Sequence, residues 1–182
     1  MRMTENNEIK KKKLLVLGLE NSGKTSILIS LRKDTNLMSY CGMKPTKGIK
    51  IEELAGVSAW DFGGQEQYRE EYLINFDKYS EKADKVIYII DIQDLKKYDN
   101  ALKYLEKIVN LLIKYKKFID FSIFFHKYDP NLTKIKQFEN IDATIDSKLI
   151  TAIGKIIPPE IKYNIYYTTI YTLFEKTSVH IK

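Results

Sequence analysis

Apolar positions along this chain follow two rhythms that alternate with each other. Short, mainly apolar runs, Leu14-Leu15-Val16-Leu17, Lys85 to Ile92 and Phe121 to Phe125, have the length and the β-branched or aromatic content of strands buried on both faces. Elsewhere apolar residues recur every three or four positions. Leu95, Tyr98, Leu102, Leu105, Val109 and Leu112 fall on one helical face, while Lys96, Lys103, Lys107 and Lys114 fall on another. Ile145, Leu149, Ile153 and Ile156 form a second stripe, stopped by Pro158-Pro159. Thr25 to Leu31 reads as a helix, Lys162 to Tyr167 as a last strand, and Tyr171 onward as a short terminal helix. Ile49-Lys50-Ile51 and Val57 to Trp60 alternate strictly about a tight turn at Ala55-Gly56, which predicts a hairpin. Thr35 to Lys47 has neither rhythm and contains Gly42 and Pro45, so it reads as a loop. The alternation predicts an α/β fold in three layers. Its sheet is mostly parallel with one antiparallel hairpin strand, helices cover both faces, and ligands bind at the strand C-terminal ends.

Composition narrows the class. At 182 residues, with no internal repeat and no Pro/Gly/Ser-rich linker, residues 1–182 read as a single domain whose polar first nine residues are frayed. The net charge of +6 is carried almost wholly by lysine, since the arginines are Arg2, Arg32 and Arg69 alone. A reader of bases or backbone phosphates favours arginine's planar fork, so the excess lysines read as solvated surface and not as a nucleic-acid interface, and the run Lys10 to Lys13 as a solvated strand entry and not as a lipid anchor. Cys41 is the single cysteine, which excludes an intrachain disulfide, and no Cys/His group has zinc-ligand spacing. With no signal peptide and no apolar run near a membrane-spanning length, a cytoplasmic protein is expected. Arg2 stands where myristoylation needs glycine, and the end His180-Ile181-Lys182 encodes no prenylation. Membrane recruitment, if any, would therefore run through a partner.

Three segments at strand ends carry the chemistry. Gly18-Leu19-Glu20-Asn21-Ser22-Gly23-Lys24-Thr25 sits between a strand and a helix, where glycines turn backbone N–H groups toward phosphate oxygens at a helix N-terminus. Glu20, Asn21, Ser22, Gly23 and Ser26 are expected in that cradle, where Lys24 would reach the β- and γ-phosphates and Thr25 would ligate magnesium. Asp61-Phe62-Gly63-Gly64-Gln65 follows the hairpin. Asp61 can hold magnesium, Gly64 can bring its N–H to a γ-phosphate, and the Gln65 amide can orient an attacking water. Thr46, in the loop before the hairpin, can complete the magnesium shell while a γ-phosphate is present, ordering the loop with GTP and releasing it after hydrolysis. His126-Lys127-Tyr128-Asp129 ends a strand. Asp129 can accept from guanine N1–H and the exocyclic amine, Lys127 can lay its stem along the base, and His126 braces the loop. Catalysis thus falls to Gln65, Lys24 and Thr46. A nucleotide-binding scaffold without useful hydrolysis and an ATP-dependent small-molecule kinase share parts of this pattern. The intact Thr25, Thr46, Asp61 and Gln65 argue against the first, and the guanine-reading Asp129 argues against the second.

These segments resemble the small GTPases of the Ras superfamily, in the Arf-like and Rag-like branches. Gly18 to Thr25, Pro45-Thr46-x-Gly48 and Trp60-Asp61-x-Gly63-Gly64-Gln65 look Arf-type, with Glu20 where aspartate is usual. His126 in place of asparagine, and Thr168-Thr169-Ile170 in place of Ser-Ala-Lys, are similar to the Rag form. The resemblance covers Leu14 to Phe174 and implies a P-loop NTPase of the small G-domain type. It also implies bound GTP or GDP with Mg²⁺, guanine carbonyl contacts from the Thr168–Ile170 backbone, and activating, exchange and effector proteins as partners, with dimerisation open. Met38 to Glu53 and Gln67 to Tyr79 would form the effector surface. Cys41-Gly42-Met43-Lys44-Pro45, just before Thr46, contains no arginine and Arg69 reads as a switch-surface residue, so a partner would supply the missing charge.

Overall fold

A computed structural model describes residues 11–171 of the chain. In chain order the elements are β1 (Lys12–Gly18), α1 (Lys24–Ser30), β2 (Ile49–Leu54), β3 (Val57–Phe62), α2 (Glu66–Ile74), α3 (Phe76–Tyr79), β4 (Lys85–Asp91), α4 (Tyr98–Lys114), β5 (Asp120–His126), α5 (Ile141–Thr144), α6 (Thr151–Ile156) and β6 (Tyr163–Thr168). A π-helical stretch, Ile145–Ile150, joins α5 to α6. The frayed start and the terminal helix expected beyond Tyr171 lie outside the described residues, as does His180.

One six-stranded sheet runs in the order β2-β3-β1-β4-β5-β6. Every pairing is parallel except β2 with β3, the expected hairpin, in which Ile51 faces Trp60. Side chains alternate across a strand, so each mainly apolar run feeds both faces. Leu15 and Leu17 of β1 join Val86, Tyr88 and Ile90 of β4 in the larger core beneath α2, α4 and α6. Leu14 and Val16 join Ile87 and Ile89 in a smaller core with Leu28 of α1.

The α4 stripe is broader than periodicity implies. Leu95 precedes the helix in a short 3₁₀ turn and Leu102 is half-buried, whereas Ala101, Tyr104 and Ile108 join the buried face. A helix laid on a twisted sheet buries a wide arc, and the larger side chains at its edge reach the core. Helices α2 and α3 carry little apolar periodicity. They are held by an edge-to-face aromatic cluster in which Tyr72 meets Phe62 with ring centres 5.0 Å apart and Tyr79 meets Phe62 at 5.7 Å. Glu52, buried on β2, pairs with Arg32 just past α1 and with Lys50, tying the hairpin to the helix that follows the glycine loop. Among the described residues no helix is long and apolar enough to cross a membrane.

Candidate functional site

Parallel pairing brings the C-terminal ends of β1, β3, β4 and β5 to one edge, where the three chemical segments meet. There they border a cleft of about 690 Å³ whose wall includes Glu20, Asn21, Gly23, Lys24, Thr25 and Ser26 from the glycine loop. Thr46, Gly64, Gln65 and Lys127 complete it, with Met43, Lys44 and Pro45 from the loop before the hairpin. Ser22, Asp61 and His126 are buried behind this wall, and Asp129 with Thr168, Thr169 and Ile170 stands outside it, past Lys127.

The loop turns through left-handed backbone at Asn21 (φ 62°) and Gly23 (φ 92°). At Gly23 the absence of a side chain serves a second purpose, because a Cβ there would stand 2.3 Å from Cδ2 of His126. The His126 ring therefore lies directly against the glycine loop, and its Nδ1 lies 3.0 Å from the Thr168 hydroxyl. Burial and the neighbouring Lys127 charge hold the imidazole below its usual pKa, which suits a neutral packing group. Lys24, buried at the start of α1, donates from Nζ to the carbonyls of Leu19 (2.7 Å) and Gly18 (3.1 Å). Burial lowers its pKa to about 8, opposed by the charges of Asp61 and Glu20.

Behind Lys24 three oxygen donors from three elements converge. The Thr25 hydroxyl donates to Asp61 Oδ2 at 2.6 Å, the Thr46 hydroxyl donates to the same oxygen at 3.1 Å, and the two hydroxyls lie 3.0 Å apart. Asp61 is fully buried, and its other oxygen, Oδ1, has no hydrogen-bond partner among the described residues. Burial pushes this carboxyl above its ordinary pKa. An unpartnered buried carboxylate oxygen is costly, and a hard cation held by hydroxyl and carboxylate oxygens relieves that cost. The donor set fits magnesium.

Gly63 and Gly64 are required by close approach. The Gly63 N–H donates to Gly48 O at 2.9 Å, and a Cβ at Gly63 would come within 2.4 Å of Thr46 O. Tyr72 adds a second donor to Gly48 O at 2.7 Å, so α2 and the end of β3 together hold the Thr46 loop. Gly64 accepts from the Glu20 N–H at 3.1 Å, and a Cβ there would lie 2.2 Å from that nitrogen. Gln65 follows at the start of α2, half-buried on the wall of the cleft. Arg69 stands with its guanidinium 5.3 Å from the centre of the Tyr104 ring, facing α4. No arginine lines the cleft among the described residues.

At the far end, Asp129 accepts from the Thr169 hydroxyl at Oδ1 and from Gln93 Nε2 at Oδ2, the latter at 2.8 Å. Lys127 has left-handed backbone (φ 66°) and its Nζ pairs with Asp91 at 2.6 Å. Lys97 pairs with Glu20 at 3.0 Å. Asp91, Gln93 and Lys97 were not among the residues picked out by sequence. They sit in a segment with no motif of its own, and only the register pairing Asp91 with His126 reveals their place.

The sequence profile of the ADP-ribosylation factor family matches residues 1–152. The chain belongs to the ADP-ribosylation factor (Arf) family. Among its relatives, ADP-ribosylation factor-like protein 2 of Dictyostelium discoideum is 35% identical over 126 residues, 66% of this chain and 62% of that protein. ADP-ribosylation factor-like protein 3 of Caenorhabditis elegans is 36% identical over 92 residues, 48% of this chain and 46% of that protein. The chain thus spans less than two thirds of the length of these curated relatives. The fold is shared with the ADP-ribosylation factor-like GTP-binding protein, small COPII coat GTPase SAR1, of Encephalitozoon cuniculi, solved with GDP. That match has a TM-score of 0.59 at 20% identity and covers 90% of this chain and 71% of that one. It is shared likewise with the Arl6 small GTPase of Trypanosoma brucei, solved with the analogue GppNp (TM-score 0.55, 21% identity, 87% of each chain). These matches correct one expectation: the Rag-like branch finds no support in them, and the Arf assignment stands alone. The histidine that suggested that branch has a local explanation in this Arf-family chain, since its ring fills the space over Gly23.

Proposed function

We propose that this Arf-family chain is a GTP-binding switch that hydrolyses GTP slowly on its own and faster with a partner. The observation that carries the reading is the meeting of Thr25, Thr46 and Asp61 around one buried, half-satisfied carboxylate beside Lys24. Thr25, Thr46 and Asp61 would hold magnesium, which when bound neutralises charge developing on the phosphate oxygens. The glycine-loop N–H groups and the Lys24 ammonium bind the phosphates, and Gln65 orients the attacking water. Asp129 and Lys127 take guanine, with the backbone of Thr168 to Ile170 beside it. Thr46 belongs to a loop tethered through Gly48 to Gly63 and Tyr72, so a γ-phosphate contact there changes a surface that effectors can read. The cleft's cations are lysines, which supports dependence on charge from an activating partner, worth roughly 10³–10⁵ in rate where an arginine supplies it. Exchange and effector proteins are the other expected partners, in the cytoplasm.

The test is single-turnover assay of purified protein loaded with GTP, alongside chromatography of the nucleotide released on denaturation. GDP formed slowly, with GTP preferred over ATP, is the expected result. Retention of intact GTP over hours would favour a scaffold, preference for ATP would favour a kinase, and tens of turnovers per second would remove the need for a partner.

Lys24 also predicts a pH dependence. Phosphate binds the charged ammonium, whose pKa in the protein lies at about 8. Binding is strongest below that value and falls as pH rises through it, to roughly one quarter at pH 8.5 of its strength at pH 7. Titration with a fluorescent GTP analogue in matched ionic strength reads this directly, and a flat profile over that range would contradict it.

A further inference from the structure

Gln93 lies just past β4, in a segment that sequence motifs leave unmarked, and its side chain reaches two parts of the base-reading loop. Nε2 donates to the Lys127 carbonyl at 2.7 Å and to Asp129 Oδ2 at 2.8 Å. Both partners are acceptors, so the hydrogen-bond network assigns the amide nitrogen, not the oxygen, to this side. Gln93 is itself anchored, because its N–H donates to Asp91 Oδ1 at 2.9 Å while Asp91 Oδ2 accepts from Lys127 Nζ at 2.6 Å. The Ile92 N–H donates to His126 O at 3.1 Å, so the whole segment from Asp91 to Gln93 clasps the loop that starts at His126.

The consequence lies in what remains for a base. A carboxylate offers two lone-pair sites on each oxygen. Thr169 occupies one on Oδ1 and Gln93 one on Oδ2, which leaves one on each. Two protein donors on opposite oxygens also stop the carboxylate rotating about its terminal bond, a torsion that is otherwise broad. Guanine presents two adjacent donors, N1–H and the 2-amine, and needs both oxygens in one plane. Hypoxanthine presents only N1–H, and a rotating carboxylate meets it with either oxygen.

We propose that Gln93 is a positioning residue for base recognition, whose amide fixes the plane of the Asp129 carboxylate and so sets how strongly the site prefers guanine. This inference rests on the reading of the cleft as a guanine-nucleotide site.

The experiment compares GTP, ITP and ATP titrations of the full chain with those of Gln93→Met, which keeps the size and removes the donors, and of Gln93→Glu, which sets an acceptor against two acceptors. Either variant, if folded by circular dichroism, decides. Without the amide, GTP binding must itself order the Asp129 carboxylate and weakens by roughly two- to tenfold, while ITP binding changes by much less, so the GTP-to-ITP ratio narrows. Gln93→Asn, which retains the donors on a shorter stem, recovers part of the ratio. An unchanged ratio, whether GTP and ITP binding fall equally or not at all, would leave Gln93 at most a structural residue and overturn the inference while leaving the guanine site intact. A wild-type chain that binds GTP no better than ATP would overturn both.

Discussion

Lys24→Ala is expected to weaken GTP binding by roughly 10²–10⁴-fold, since an ammonium that gives up one carbonyl contact can turn two of its three N–H groups to charged phosphate oxygens at about 1.5–3 kcal/mol each. The position of the side chain explains the size of the effect. Lys24 opens α1 behind the glycine loop, buried, with its Nζ directed at the Gly18 and Leu19 carbonyls instead of at solvent. Water therefore cannot take the place of the lost ammonium cheaply. The fold itself should tolerate the change. A buried ammonium whose pKa has dropped to about 8 is held at a cost, and removing it relieves that cost while leaving two carbonyls with one donor fewer. Titration with a fluorescent GTP analogue measures the affinity, and circular dichroism verifies folding. An affinity within a few-fold of the unaltered chain would take Lys24 out of the phosphate site.

Gln65→Leu should give the opposite profile: binding within a few-fold of normal and single-turnover hydrolysis reduced by roughly 10²-fold, the scale on which misplacing a reacting group costs rate. Gln65 sits at the entry to α2, half-buried on the cleft wall beside Gly64, and its amide accepts from the Gln67 side chain at 3.3 Å. Leucine matches its bulk and has nothing with which to hold a water. Because Lys24 and the glycine loop are untouched, the phosphates remain bound. Unchanged single-turnover rates would exclude Gln65 from the mechanism, and a large loss of affinity would show that it binds nucleotide instead of orienting water.

The two variants separate what sequence could reveal from what it could not. Lys24, Thr25, Asp61, Gln65 and Asp129 were legible as candidates because each stands in a short motif whose spacing would serve a chemical purpose. Thr46 was legible only by its place between two such motifs. The helices α2 and α3 were not, because their packing relies on Tyr72 and Tyr79 meeting Phe62 edge to face and not on a periodic stripe. Tyr72 consequently escaped notice as a tether of the Thr46 loop.

Sequence alone determined the strand and helix alternation and the placement of three chemical segments after strands. Periodicity and glycine spacing are local properties, and local sterics enforce them. Tertiary structure alone decided which groups meet. The hydroxyls of Thr25 and Thr46 share one oxygen of Asp61 because β1 and β3 lie side by side and Gly63 lets the Thr46 loop approach. The His126 ring reaches Gly23, and Gln93 reaches Asp129, because β4 and β5 pair in a register that aligns Asp91 with His126. Contacts between residues dozens of positions apart depend on the packing of whole elements, and no local pattern encodes that distance.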